Sequence, residues 1–179
     1  VGGDTVRAPC VVVDVAIVGT ATAGRPVLRS GAKVGDRIFV TGRLGGSLTN
    51  RRHATFTPRV DEAQWLVRHL SLHAMIDLSD GLAADLWQLA RASRVTLQID
   101  EAAIPVAAAA GTVWHALMDG EDFELLFTVA ARMAHRVPRA IGRCPVTQIG
   151  TVTAHGPHVE LRRRTGRISP LTPQGFRHF

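Results

Sequence analysis

Apolar residues along this chain recur with two different periods, and the places where the period changes mark its elements. Val11–Gly19 (VVVDVAIVG) is β-branched and apolar, which predicts a buried strand. Residues 21–29 contain Gly24 and Pro26 and read as a connection, and Gly31–Asp36 is turn chemistry. A strand over Arg37–Thr41 follows and stops at Gly42, a break that marks a candidate domain boundary. After a polar stretch from Leu44 to Phe56, Thr57-Pro58 predicts a helix start, with a hydroxyl N-cap and proline at the first helical position. Val60, Ala63, Leu66, Val67 and Leu70 then keep helical spacing, and Met75-Ile76 ends a short strand. Leu82, Leu86, Leu89 and Ala90 form the apolar stripe of a second helix, with Ser79 or Asp80 placed to cap it. Val95–Ile99, Phe123–Val129, Val146–Val152 and Val159–Leu161 predict strands, and Ala130–Ile141 predicts a helix interrupted at Pro138. Helices interleaved with strands, without a strict βαβ repeat, predict an α+β domain.

Composition narrows the class. At 179 residues, 46% hydrophobic and a mean hydropathy of +0.11, the chain has the profile of a soluble globular domain with a sizeable core. No apolar run approaches the ~18 residues of a membrane span, and no signal peptide is visible, so a cytoplasmic location is expected. The start at Val1, one residue before a motif, suits a fragment better than a complete gene product. Cys10 and Cys144 match no metal or redox spacing and read as small buried apolar residues.

The net charge of +6 raises a nucleic-acid reading, which the arginine distribution does not favour. Lys33 is the only lysine, and the arginines are dispersed apart from Arg162-Arg163-Arg164. Such a run reads as a solvated hairpin tip, and scattered charge gives salt-sensitive attraction without sequence readout. No nucleic-acid and no membrane partner is expected.

Against this basic background stand three acidic motifs: Gly2-Gly3-Asp4-Thr5, Asp77-Leu78-Ser79-Asp80-Gly81-Leu82 and Asp119-Gly120-Glu121-Asp122-Phe123-Glu124. Carboxylates on loops at element ends suit Mg²⁺, a hard cation that takes oxygen ligands and bridges protein to phosphates. Asp77 and Asp80 fall where a strand hands over to a helix, whose free N–H groups attract phosphate once a cation offsets the carboxylates. The same residues also suit an ordinary helix cap with acidic first-turn residues. Gly2-Gly3-Asp4-Thr5 taken alone is equally a turn, Arg29 a surface arginine and Phe176 a C-terminal apolar plug. The eight histidines show no HxH or HExxH pattern, and there is neither a Ser-His-Asp arrangement nor a GxxxxGK loop.

In order and wording the strings Gly2-Gly3-Asp4-Thr5, Ile76–Leu86 (IDLSDGLAADL), Gly120–Phe127 (GEDFELLF) and the terminal Gly175–Phe179 (GFRHF) resemble the thiamine-monophosphate kinase family. That family belongs to the aminoimidazole-ribonucleotide-synthetase superfamily. The resemblance covers nearly the whole chain and is to the second part of such an enzyme. It implies a division into residues 1–33, the end of an N-terminal ATP-binding domain, and 34–179, a C-terminal synthetase-like domain with helices on a mixed sheet. By resemblance, Gly3, Asp4, Arg29 and Ser79 contact ATP, Asp4, Asp77 and Asp80 hold Mg²⁺, and Glu121 and Phe176 contact the thiamine substrate. A carboxylate beside a cationic ring and an aromatic able to stack on it are both chemically apt. The family usually has two glycines before its Glu-Asp pair and an acidic residue after the terminal aromatic; here Asp119 and Arg177 stand instead. The family's N-terminal half carries further metal-binding aspartates and the dimer interface. The implied activity is therefore transfer of phosphate from ATP to thiamine monophosphate, giving thiamine diphosphate, in a homodimer when full length. Another enzyme of the superfamily, or a non-catalytic binding module derived from it, is the alternative.

Overall fold

A central strand with apolar residues on both faces organises the molecule. The structure, a computed structural model, describes residues 26–172 together with positions 9, 16 and 18–20. Gly3, Asp4, Phe176 and most of the strand expected over Val11–Gly19 lie outside the described residues. In β1 (Arg37–Thr41), Ile38 and Val40 point into one core and Phe39 into another, so the strand is covered on both sides. The remaining strands are β2 (Leu72–Leu78), β3 (Val95–Asp100), β4 (Glu124–Val129), β5 (Ala140–Ile141), β6 (Cys144–His155), β7 (His158–Arg162) and β8 (Ile168–Pro170). Seven of them lie in the order β2-β4-β1-β6-β3-β7-β8, and β5 pairs with β6 off that path. The β3–β7 pair is parallel and the others antiparallel, which makes the sheet mixed, as expected for this α+β domain.

Among the described residues there are three α-helices, α1 (Val60–His69) and α2 (Leu82–Ser93) packed on the sheet and α3 (Val113–Met118) packed against α2. The stripe Leu82, Leu86, Leu89 and Ala90 is fully buried, packing α2 with Leu97, Ile99, Val159 and Leu161 in the larger core. On the other face, Leu66 and Leu70 pack with Phe39, Phe127 and Val129.

Several expectations need correction. Gly42 is no domain boundary, because β1 hydrogen-bonds to β4 on one side and β6 on the other. Helix α1 starts at Val60 rather than at Pro58; Arg59 is its N-cap, and Thr57 makes no cap. Neither Ser79 nor Asp80 caps α2, whose N-cap is Gly81. Of the helix expected over Ala130–Ile141, only a 3₁₀ segment at Ala131–Arg136 forms, before the short strand β5. Pro138 explains the stop, since it lacks an N–H and forces the preceding residue out of helical geometry. The arginine run lies in the exposed β7–β8 hairpin, where Arg162 pairs with Asp100 and Arg163 with Glu101.

Candidate functional site

Two of the three acidic motifs meet at one end of the sheet. Register pairs Leu78 of β2 with Glu124 of β4, so the segments that follow β2 and precede β4 lie side by side. The Glu121 N–H donates to the Ser79 carbonyl at 2.7 Å and the Phe123 N–H to the Leu78 carbonyl at 2.8 Å. Gly81 makes this approach possible. Its φ is +106°, and a Cβ there would sit 2.9 Å from the Asp119 carbonyl oxygen. Asp77, Ser79, Asp80 and Glu121 are thereby gathered at the N-terminus of α2.

Around them a third segment is tied down by carboxylates of the 119–124 motif. Asp122, buried, accepts from the Gly45 N–H at 2.7 Å and pairs with Arg52. Asp119 accepts from the Gly46 N–H at 3.0 Å and faces His115 at 3.1 Å. Glu124, also buried, accepts from the Thr41 hydroxyl and takes both arms of the Arg59 fork at 2.7 Å. Asp119 itself has φ −68° and ψ 134°, so the aspartate in place of the family's glycine fits without strain. Positive φ falls instead at Glu121 (64°) and Phe123 (51°). The Phe123 ring stacks on Phe56, with centroids 4.2 Å apart and planes 21° from parallel.

The carboxylates differ in environment. Asp77 is exposed, Asp80 and Glu121 are half-buried, and Asp85 is buried with its side chain accepting the Asp80 N–H. Burial, then the neighbouring charges of Asp80 and Asp77, push Asp85 up to about 7. Among the described residues no three carboxylates, imidazoles or thiolates converge as a ready metal cage. Two carboxylates at a helix start still fit Mg²⁺, which keeps water and phosphate oxygens in much of its shell.

Arg29 stands apart. Its carbonyl accepts from the Ser93 hydroxyl at the last residue of α2, about 18 Å of helix from Leu82, and its side chain is exposed. Arg52, Arg59 and Asp85 also belong to this region, beyond the residues expected there from the sequence. Asp85 did carry a signal, an acidic residue three positions after Leu82 and directly before Leu86 on the buried stripe. The two arginines carried none, because their partners lie 70 and 65 residues away.

Burial outweighs the Gly45 N–H and Arg52 and holds Asp122 at about 6, above the usual carboxylate range. A raised folded-state value means that this group's contribution to stability is present at low pH and is lost as pH rises from about 4 to about 6. Asp122→Asn removes that dependence. Thermal melts across pH should show the variant gaining on the parent between pH 4 and pH 7, by about 3 kcal/mol at most. A difference independent of pH would contradict the assignment.

Residues 33–162 match the family described as AIR synthase related protein, C-terminal domain. The thiamine-monophosphate kinase of Rhodopirellula baltica is 42% identical over 163 residues, covering 86% of this chain and 51% of the relative. That of Escherichia coli K12 is 37% identical over 208 residues, covering 100% and 63%. A solved structure of AaThiL complexed with AMPPCP and TMP aligns with a TM-score of 0.69 at 29% identity, over 87% of this chain and 55% of that one. The chain thus spans roughly half to two thirds of the relatives it matches.

Proposed function

Because the chain belongs to the AIR synthase related family, carrying that family's C-terminal domain, we propose that it supplies part of an ATP-dependent thiamine-monophosphate kinase. The observation that carries this reading is the 2.7 Å hydrogen bond from Glu121 to Ser79. It joins the two strings that separate the thiamine kinases from other members of the superfamily. In this reading residues 1–33 end an N-terminal ATP-binding domain and 34–179 form the second domain.

Asp77 and Asp80, with Asp4, would hold Mg²⁺, which when bound neutralises charge on the transferring phosphates. The start of α2 presents free N–H groups and its positive dipole end to those phosphates, and the Ser79 hydroxyl adds a donor. Gly3 and Arg29 are the further ATP contacts in this reading; Arg29, exposed and at the far end of α2, would meet a part of the nucleotide away from the phosphates at the α2 start. Glu121 complements the cationic thiamine ring, and Phe176 stacks on it. The substrate phosphate attacks the terminal phosphorus of ATP in line, and such transfer depends on positioning and electrostatics more than on a protein base. The paucity of histidine in the motifs agrees with that. The remaining cation ligands and the homodimer contact belong to an N-terminal half like that of the relatives, so residues 1–179 alone are expected not to turn over.

Among the described residues no helix is long and apolar enough to cross a membrane, and a cytoplasmic enzyme is the reading we adopt. The test is ADP release by the full protein containing residues 1–179, with Mg²⁺ and ATP. Thiamine monophosphate should stimulate it strongly, and thiamine or no acceptor should not. Equal release without acceptor would overturn the proposal.

A further inference from the structure

The loop between α3 and β4 adopts a backbone conformation that bulky residues avoid, and it does so twice in three residues. Glu121 has φ 64° and Phe123 φ 51°, and Phe in that region is a genuine outlier. Four bonds hold the loop there: the Glu121 and Phe123 N–H groups on Ser79 and Leu78, and the Asp122 carboxylate on Gly45 and Arg52. Strain fixed by surrounding bonds is characteristic of ligand-facing segments. What the strained loop presents is an acidic side chain at 121 and an aromatic ring at 123, both half-buried. Arg52 closes the segment Arg43–Arg52 on itself through the Arg43 carbonyl, four residues before Phe56, whose ring continues the stack. Phe56 keeps 37% of its surface open, so the pair is not a sealed core contact. One ring alone would suit many apolar neighbours. The solvent-facing side of such a pair, with an acidic residue two positions along the loop, suits a flat, positively charged heterocycle, attracted by the outer π face and by the negative charge together.

We propose that the stacked Phe56–Phe123 pair is an aromatic platform for the cationic heteroaromatic ring of the substrate, with Glu121, two residues before Phe123 on the same loop, setting the charge preference. This rests on the thiamine-monophosphate kinase reading and names two specificity residues within it. The platform selects for a quaternised ring, and it leaves ATP binding and phosphoryl transfer to the residues around Asp77 and Asp80.

The test is steady-state kinetics of the full protein containing residues 1–179, comparing parent, Phe56→Leu and Phe56→Tyr. Phe56 carries no backbone strain among the positive-φ positions, so Phe56→Leu should fold, and a melting curve checks it. Phe56→Leu should raise the Michaelis constant for thiamine monophosphate about fivefold or more, with that for ATP and kcat within about twofold. Phe56→Tyr should restore it. The phosphate ester of 5-(2-hydroxyethyl)-4-methylthiazole, whose ring is uncharged, should inhibit the parent poorly, and Phe56→Leu should narrow the gap between charged and uncharged rings. An unchanged thiamine-monophosphate constant in a folded Phe56→Leu overturns the platform, as does an equal rise for ATP. A parent that does not use thiamine monophosphate overturns the kinase reading itself, and that outcome is visible before any variant is made.

Discussion

Asp80→Asn, introduced into the full protein containing residues 1–179, is expected to lower phosphoryl transfer on the order of a hundredfold or more while leaving the fold intact. The two halves of this expectation have separate causes. Asp80 contributes to folding through its backbone N–H, which donates to the Asp85 carboxylate at 3.1 Å, and asparagine keeps that bond. Its side chain is half-buried and adds negative charge beside Asp77 and Asp85, so removing the charge relieves repulsion. Stability should therefore change by no more than about 0.5 kcal/mol, the usual range away from packed or paired groups. Turnover should fall because asparagine offers the cation one neutral oxygen in place of a carboxylate. Excess Mg²⁺ should recover part of the loss. Normal kinetics across Mg²⁺ concentrations would remove Asp80 from the metal site and leave it a residue of the helix entry.

Arg59→Ala should give the largest loss of stability. Glu124 is 2% exposed and accepts from the Arg59 Nε and terminal amino groups, both at 2.7 Å, and from the Thr41 hydroxyl at 2.8 Å. The fork raises the already high affinity of Arg59 for its proton. Deleting one partner of such a pair leaves a carboxylate without its counter-charge in a site from which water is excluded, at a cost of about 3–5 kcal/mol. For a chain of this size that corresponds to a fall of roughly 10 °C in melting temperature. Glu124→Gln in the Arg59→Ala background removes the stranded charge and should recover a good part of the loss. A single variant melting within about 2 °C of the parent would show that the pair adds little. The pair also has a functional consequence, because it ties the start of α1 to the first residue of β4, directly after the loop that carries Glu121 and Phe123.

How much of this the sequence discloses depends on whether the cause is local. The stripe of α2 was legible because helix periodicity needs only neighbours three and four residues apart, and Leu82, Leu86, Leu89 and Ala90 are all fully buried. The strand at Arg37–Thr41 was legible for the same reason, yet its place in the centre of the sheet was not. A pairing partner such as Leu126 or Val146 is set by topology, and the glycine that ends the strand looked like a boundary. Helix α1 starts at Val60, two residues beyond the proline that Thr57-Pro58 would place first, and its N-cap Arg59 is held by Glu124, a partner 65 residues away that no local pattern discloses. At the site, the residue types of Asp77, Ser79, Asp80 and Glu121 were readable from their strings. Their meeting was not, since it depends on the β2–β4 register and on Gly81 tolerating a close carbonyl. The resemblance to a known family supplied the roles that spacing left open between cap and ligand.

The central claim is that the phosphate of thiamine monophosphate accepts the terminal phosphoryl group of ATP. It is tested most directly by mass spectrometry of the product formed from ATP labelled with ¹⁸O in the γ-phosphoryl group. The expected result is thiamine diphosphate whose terminal phosphoryl group retains the three labelled oxygens, formed one for one with ADP. Label recovered only in inorganic phosphate, with thiamine monophosphate unchanged, would contradict it.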